Sequence, residues 1–295
     1  MKKNFVLFFL VVVLALAVGY LAIFRTLPTS TQVKEPEQKN FHFANFMQSE
    51  FYSGILKPDT VEATPQKVYG AIVSHHFYAE RQIAGLFQAL GAQDPKTIVV
   101  IGPNHFGAGT GRAQISGWSY KTPWGDLATD KELYEKLLAT GLVKNEETTF
   151  EREHSISVLV GFIKHQFPEA KFLPIVIKRN YSLLEAQNLA EGLRRLLPED
   201  SLVIASVDFS HHVTNQVAQS QDRKTLKMLE NFDYAGISKL KPEAMDSPPS
   251  IIAFLKYLEL KGAKKMEYTN TNQALLSGNL SNTDVTSYFF ATFIR

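Results

Sequence analysis

Thr97-Ile98-Val99-Val100-Ile101-Gly102-Pro103-Asn104-His105 is a run of mainly β-branched residues that stops at glycine and proline and ends in histidine. A short, continuous apolar run of this kind reads as a strand buried on both faces, the signature of a parallel sheet covered by helices. Three further runs, at 68–73, 171–177 and 202–206, have the same character. Amphipathic stretches at 79–90, 155–167, 182–197, 222–229 and 251–260 separate or follow them and read as helices. Gly91 follows the first of these as a good C′ residue, and Pro168 and Pro198 stop the next two. Residues 266–271 and 285–294 read as two late strands. Alternating strands and helices imply an α/β fold with a mostly parallel central sheet, helices on both faces and right-handed crossovers.

The histidines follow the strands. His75 and His76 come directly after 68–73, His105 after 97–101, and His211 and His212 after 202–206 in the run Ser206-Val207-Asp208-Phe209-Ser210-His211-His212. In open α/β sheets, ligands bind in the crevice beyond the carboxyl ends of the strands. If these strands are parallel neighbours, the three sites converge on one crevice, which His154 can join from the start of its helix. His165, inside an amphipathic helix, and His42, near the linker, read as structural. Histidine is the commonest metal ligand and general acid or base, so the strand-end set points to a shared functional pocket. A metal needs a further ligand, and the best carboxylates are Asp208 and Asp246. Asp246 reads equally as a ligand or as the N-cap of the helix that Pro248 would open.

Composition narrows the chemistry. The 295 residues suggest one large domain or two small ones. A formal net charge of +2 gives no field favouring nucleic acid. The chain has no cysteine, which removes disulfides, thiolate metal sites and cysteine nucleophiles together. Gly107-Ala108-Gly109-Thr110-Gly111 resembles a phosphate-cradling loop, but no helical period follows it. No Gly-x-Ser-x-Gly elbow accompanies Ser206, Asp208 and His211, which argues against a serine hydrolase.

The N-terminus is of a different kind. Lys2 and Lys3 precede an uncharged run over 5–24, and Arg25 ends it. As a helix this run reaches roughly 30 Å, the thickness of a bilayer core, and it exceeds the apolar core of about 7–15 residues usual in a cleaved signal peptide. The reading is a transmembrane anchor over 1–25, a polar linker over 26–40 and an α/β domain over 41–295. The leading lysines favour an inside N-terminus, giving a single-pass cell-membrane protein with its domain outside the cytoplasm.

Over 68–293 the chain resembles the Memo family, also called protein B of the AmmeMemoRadiSam system. That family is similar in fold to class III extradiol ring-cleaving dioxygenases. The resemblance is carried by Ile72-Val73-Ser74-His75, Ile101-Gly102-Pro103-Asn104-His105, Thr122-Pro123-Trp124-Gly125-Asp126, Glu153-His154-Ser155-Ile156, Ser206-Val207-Asp208-Phe209-Ser210-His211 and the late strand at 285–293. It implies that His75 and His105 match two metal-binding histidines. The third ligand of the family is usually a cysteine, and Asp246 stands at that place in Asp246-Ser247-Pro248-Pro249-Ser250-Ile251. Two histidines and one carboxylate form the facial triad of non-haem iron oxygenases. The resemblance therefore favours Asp246 as a ligand and implies a divalent transition metal: iron first, copper or zinc as alternatives. Family members usually carry Pro-His-Ala-Gly-Tyr after the first strand. Here Ser74-His75-His76-Phe77-Tyr78 replaces it, so the pocket wall has changed.

His211 matches the acid–base histidine of the ring-cleaving relatives, Asp208 is placed to orient its ring, and His154 matches another active-site histidine. These three are the catalytic candidates. The implied function is a membrane-anchored, metal-binding Memo-like protein, redox-active or dioxygenase-like, taking a small-molecule or peptide ligand in the crevice and working with AmmeMemoRadiSam partners. A non-catalytic peptide-binding module and a metal-dependent hydrolase are the competing functions.

Overall fold

In the computed structural model, which describes residues 40–60 and 65–295, the strand quoted above lies inside an eight-stranded sheet. Numbered along the chain, the strands are β1 (Phe41–Phe43), β2 (Gly70–Val73), β3 (Thr97–Pro103), β4 (Ala113–Ile115), β5 (Ser119–Thr122), β6 (Gly125–Leu127), β7 (Lys144–Asn145), β8 (Lys171–Ile177), β9 (Ser201–Ser206), β10 (Lys265–Asn272) and β11 (Ser287–Ile294). The large sheet has the order β10-β11-β2-β9-β3-β8-β4-β7, and β1, β5 and β6 form a separate small sheet. The four central strands β2, β9, β3 and β8 are mutually parallel. Both flanks bring antiparallel pairings, β10–β11 and β11–β2 on one side and β8–β4 on the other, while β7 joins β4 in parallel. The fold is thus mixed α/β with a parallel centre. The connection from β10 to β11 carries only the one-turn helix Gln273–Ser277, which is too short to cover a sheet face as a parallel crossover does.

The main helices are α1 (Glu80–Leu90), α2 (Lys131–Ala139), α3 (Leu159–Gln166), α4 (Leu183–Leu196), α5 (Asn215–Glu230) and α6 (Pro248–Lys261). Strand alternation sorts the core into two layers. Ile72, Val99, Ile101, Val203 and Ala205 pack with Leu189 and Leu193 of α4 and with Ile251 and Phe254 of α6. Ala71, Val73, Ile98, Val100 and Ile204 face the opposite way, towards Ile83 and Phe87 of α1 and Phe162 and Ile163 of α3. Each fully buried Val, Leu, Ile or Phe contributes roughly 1.5–3 kcal/mol of transfer free energy.

The boundaries show where sequence signals were weak. α5 begins well before the 222–229 read from apolar period, because Thr214 caps a helix start at Asn215 by accepting the Val217 N–H. α2 was not anticipated, although the Asp130 side chain caps it at the Leu133 N–H and Leu133 and Leu137 form its buried face. Gly107–Gly111 is followed by strand β4, not by a helix. No helix among the described residues is long and apolar enough to cross a membrane; the anchor read over 1–25 lies outside those residues.

His42 pins the first strand to the body. It is buried, its Nε2 lies 2.8 Å from Ser116 Oγ and 3.2 Å from Glu147 Oε2, and its ring packs among Trp118, Tyr120 and Phe150. Burial alone would raise the Glu147 carboxyl, but hydrogen bonds from His42, Ser116 and the Gly117 N–H outweigh it and hold Glu147 below the ordinary carboxylate value. An ionised Glu147 therefore stabilises the fold above the unfolded pKa of about 4.3, and this contribution fades as pH falls through the lower folded value. Glu147→Gln is expected to cost about 1–3 kcal/mol in urea unfolding at pH 7. The gap from wild type should close as the pH drops below about 4; a gap independent of pH would refute this role for the ionised side chain.

Candidate metal centre

The register of the central strands brings the site together. Val73 of β2 lies opposite Ser206 of β9, and Ile101 of β3 lies opposite Ala205, so the strands end nearly level. His75 leaves two residues beyond β2, His105 two beyond β3, and Asp208 two beyond β9. Asp246 comes from the loop before α6. Ser247, not Asp246, caps that helix by accepting the Ser250 N–H, with Pro248 in its first turn. The capping reading of Asp246 therefore falls away.

Both histidines present the same nitrogen. His75 Nδ1 lies 3.1 Å from Ser206 Oγ, and Ser206 Oγ donates its own hydrogen to the Ser155 carbonyl. Ser206 must then accept from His75, which places the His75 proton on Nδ1 and frees the Nε2 lone pair. His105 Nδ1 lies 2.7 Å from Glu153 Oε1, a carboxylate–histidine pair that directs its Nε2 in the same way. Glu153 is fully buried and also accepts the backbone N–H groups of His105 and Ser155. Burial pushes its carboxyl up, but the pairing with His105 and these N–H groups hold it below the ordinary value. Gly102 makes the approach feasible, since a Cβ there would lie 2.7 Å from Ser155 Oγ, on the short helix that Glu153 caps.

The two Nε2 atoms meet one carboxylate oxygen. Asp246 Oδ2 is 3.3 Å from His75 Nε2 and 3.6 Å from His105 Nε2. Two donors bound about 2.1 Å from one ion at angles of about 90–120° stand roughly 3.0–3.6 Å apart, so these spacings suit shared coordination better than direct hydrogen bonding. The second oxygen, Asp246 Oδ1, is buried and has no hydrogen-bond partner. The loop is fixed independently. The Asp208 N–H donates to Asp246 Oδ2, the Asp246 N–H donates to the Asp208 carbonyl, and the Arg179 guanidinium donates to the carbonyls of Leu240, Met245 and Asp246. These side chains can hold a metal ion. Two overlapping sets, His75 with His105 and His154 and His75 with Asp208 and Asp246, each place donor atoms within 4.8 Å of one another.

The catalytic candidates take distinct positions. His154 stacks on His105 with ring centroids 4.1 Å apart, and burial together with the His75 and His105 charges lowers its pKa to about 4. Asp208 is turned towards His75, not towards His211. Its Oδ1 accepts from Ser74 Oγ and the His75 N–H, and its Oδ2 lies 3.5 Å from His75 Nε2. The expected orientation of the His211 ring by Asp208 is thus absent, and His211 Nδ1 is buried without a hydrogen-bond partner. Burial lowers His105, yet Asp246 and Glu153 outweigh it and push its pKa up to about 10. The cluster thus carries an excess of negative charge that a cation can balance.

All six predicted side chains line one cavity of about 510 Å³, with His76, Arg179, Glu243 and Thr286 on its walls. The clamp of Arg179 on the Asp246 loop had no sequence signal. Glu153 and Ser206 stood inside the segments quoted above, but their orienting roles follow only from the strand register. Removing such a partner of a ligand histidine typically weakens metal binding 10–100-fold. Glu153→Gln is expected to weaken divalent-metal binding by about that factor in competition with a chromophoric chelator; an unchanged affinity would remove His105 from the ligand set.

The sequence profile described as Memo-like protein matches residues 36–288. A MEMO1 family protein of Caldivirga maquilingensis is 31% identical over 185 residues, covering 60% of this chain and 64% of that relative. One of Pyrobaculum aerophilum is 30% identical over 178 residues, covering 58% and 63%. The matches thus span a little under two thirds of the length of these curated relatives. Among solved structures, the uncharacterized protein JW3007 from Escherichia coli K12 is similar with a TM-score of 0.49 and 15% identity, covering 76% of this chain and 99% of that one. The match to the family profile runs through nearly all of the described α/β body, and the chain belongs to the Memo-like protein family.

Proposed function

We propose that the chain is a membrane-tethered metalloprotein in which His75, His105 and Asp246 hold one divalent transition metal, iron before copper or zinc. The observation that carries this reading is the convergence of His75 Nε2 and His105 Nε2 on one carboxylate oxygen, Asp246 Oδ2, at 3.3 and 3.6 Å. When bound, a redox-active metal on two histidines and one carboxylate supplies open coordination positions for oxidative chemistry on a small molecule. The protein's own groups prepare the place. Ser206 and Glu153 fix the imidazole tautomers, and Asp208 and Arg179 hold the Asp246 loop. His211, whose ring lines the cavity, is the group available to accept or return a ligand proton.

Metal analysis of the purified chain tests the ligand set. Wild type is expected to carry close to one equivalent of metal, and His75→Ala with His105→Ala to carry none; undiminished metal in the double variant would sink the assignment. Oxygen uptake by the iron-loaded chain with a panel of catechols separates oxygenation from non-catalytic binding, and stoichiometric zinc would favour hydrolysis instead.

The tether belongs to the same proposal. The uncharged run over 5–24 has the length of a bilayer-spanning helix, and the leading lysines favour a domain outside the cytoplasm. The full chain is expected to stay in the membrane pellet through alkaline carbonate extraction and to become extractable when residues 1–25 are deleted. Release of the full chain by carbonate would end the anchor reading.

A further inference from the structure

His76 stands where the resemblance leads one to expect a small residue, and it has a partner that no sequence signal announced. Its Nδ1 lies 2.7 Å from the phenol oxygen of Tyr288 on β11. Tyr288 is fully buried, and His76 Nδ1 is the one hydrogen-bond partner of its hydroxyl among the described residues. A phenol hydroxyl carries a hydrogen that needs an acceptor. If His76 donated from Nδ1, that hydrogen would be left buried and unpaired, at a cost of about 1–3 kcal/mol. The phenol therefore donates, and it keeps its proton because burial raises its pKa. A neutral imidazole that accepts at Nδ1 carries its proton on Nε2. That nitrogen has no hydrogen-bond partner among the described residues, and the half-buried ring lines the cavity beside His75.

We infer that His76, locked by Tyr288 as the Nε2–H tautomer, is the donor with which the cavity recognises its ligand, and that this ligand carries an acceptor oxygen of the carboxylate, phenolate or carbonyl class. Other donors line the cavity, Thr286 and His154 among them, but no hydrogen bond among the described residues fixes their direction. Asp208, Asp246 and Glu243 offer acceptor oxygens, and Arg179 is held against the loop by three of its five N–H groups. His211 has no partner at Nδ1 to fix its tautomer. An Nε2–H of fixed tautomer gives directional recognition of an oxygen without adding charge next to the metal ligands. The inference deepens the proposed function and rests on it only for where the ligand's other end sits.

Two measurements on the full chain in detergent test it. In the metal-free protein labelled with ¹⁵N-histidine, long-range ¹H–¹⁵N spectra should show His76, assigned by loss of its signals in His76→Phe, as the Nε2–H tautomer. Tyr288→Phe should convert it to a mixture. In the iron-loaded protein, 4-nitrocatechol is titrated by its visible absorption. His76→Phe should weaken its binding about three- to tenfold. His76→Gln, which keeps an amide donor, should recover most of that loss, and Tyr288→Phe should fall between. An Nδ1–H tautomer in wild type, or equal affinity in wild type and His76→Phe, would overturn the inference. If the chain takes up no iron, the metal reading has failed instead. Benzoate is then titrated into the metal-free chain, and a His76 signal that does not move would overturn the donor role on its own terms.

Discussion

Strand β9 is hydrogen-bonded in parallel on both sides, and this double pairing governs where everything at the carboxyl end of the sheet is found. It sets Ser206 level with Val73, so the hydroxyl of one strand lies at the imidazole that emerges from its neighbour. It also delivers Asp208 to the N–H of His75. A shift of one residue would turn every β9 side chain to the opposite face, exchanging Val203 and Ala205 with Ile204 between the two core layers. The site therefore inherits its precision from the packing of a fully buried strand.

Around the two imidazoles the protein has gathered carboxylates that are costly to bury. Asp208 and Glu153 are both held below the ordinary carboxylate range, each against the pull of burial. Charges in such surroundings persist only when paired and hydrogen-bonded. Their partners here are backbone N–H groups, the Ser74 hydroxyl and the histidines themselves. This makes the arrangement rigid, because each carboxylate must stay in place to remain satisfied.

Much of this was legible in the sequence because it depends on local rules. Runs of β-branched residues ending in Gly102-Pro103 or Ser74 gave the central strands, and the histidines that follow them gave the crevice. What lay beyond reach depends on contacts between distant segments. Nothing local distinguishes a capping aspartate from a ligand at Asp246; the structure excludes the cap, because Ser247 takes it. Asp208 was read as a neighbour of His211 because they are close in sequence, but the chain turns its carboxylate back towards β2. The late strands β10 and β11 were read, but not their antiparallel direction, which pairing and not local pattern sets; β4, β7 and the small sheet of β1, β5 and β6 escaped because strands of two to four residues carry too little periodicity to register. Tyr288 looked like one more buried aromatic of a late strand.

The carboxylate at position 246 also bears on durability. A thiolate in the same place is open to stepwise oxidation through sulfenic and sulfinic acids, the last of which is seldom reversed. An aspartate has no such ladder to climb, and the chain has no cysteine that could form a mixed disulfide near the cavity. A carboxylate at this place closes the thiolate route to oxidative loss, at the expense of the tighter grip that soft sulfur gives to copper and zinc.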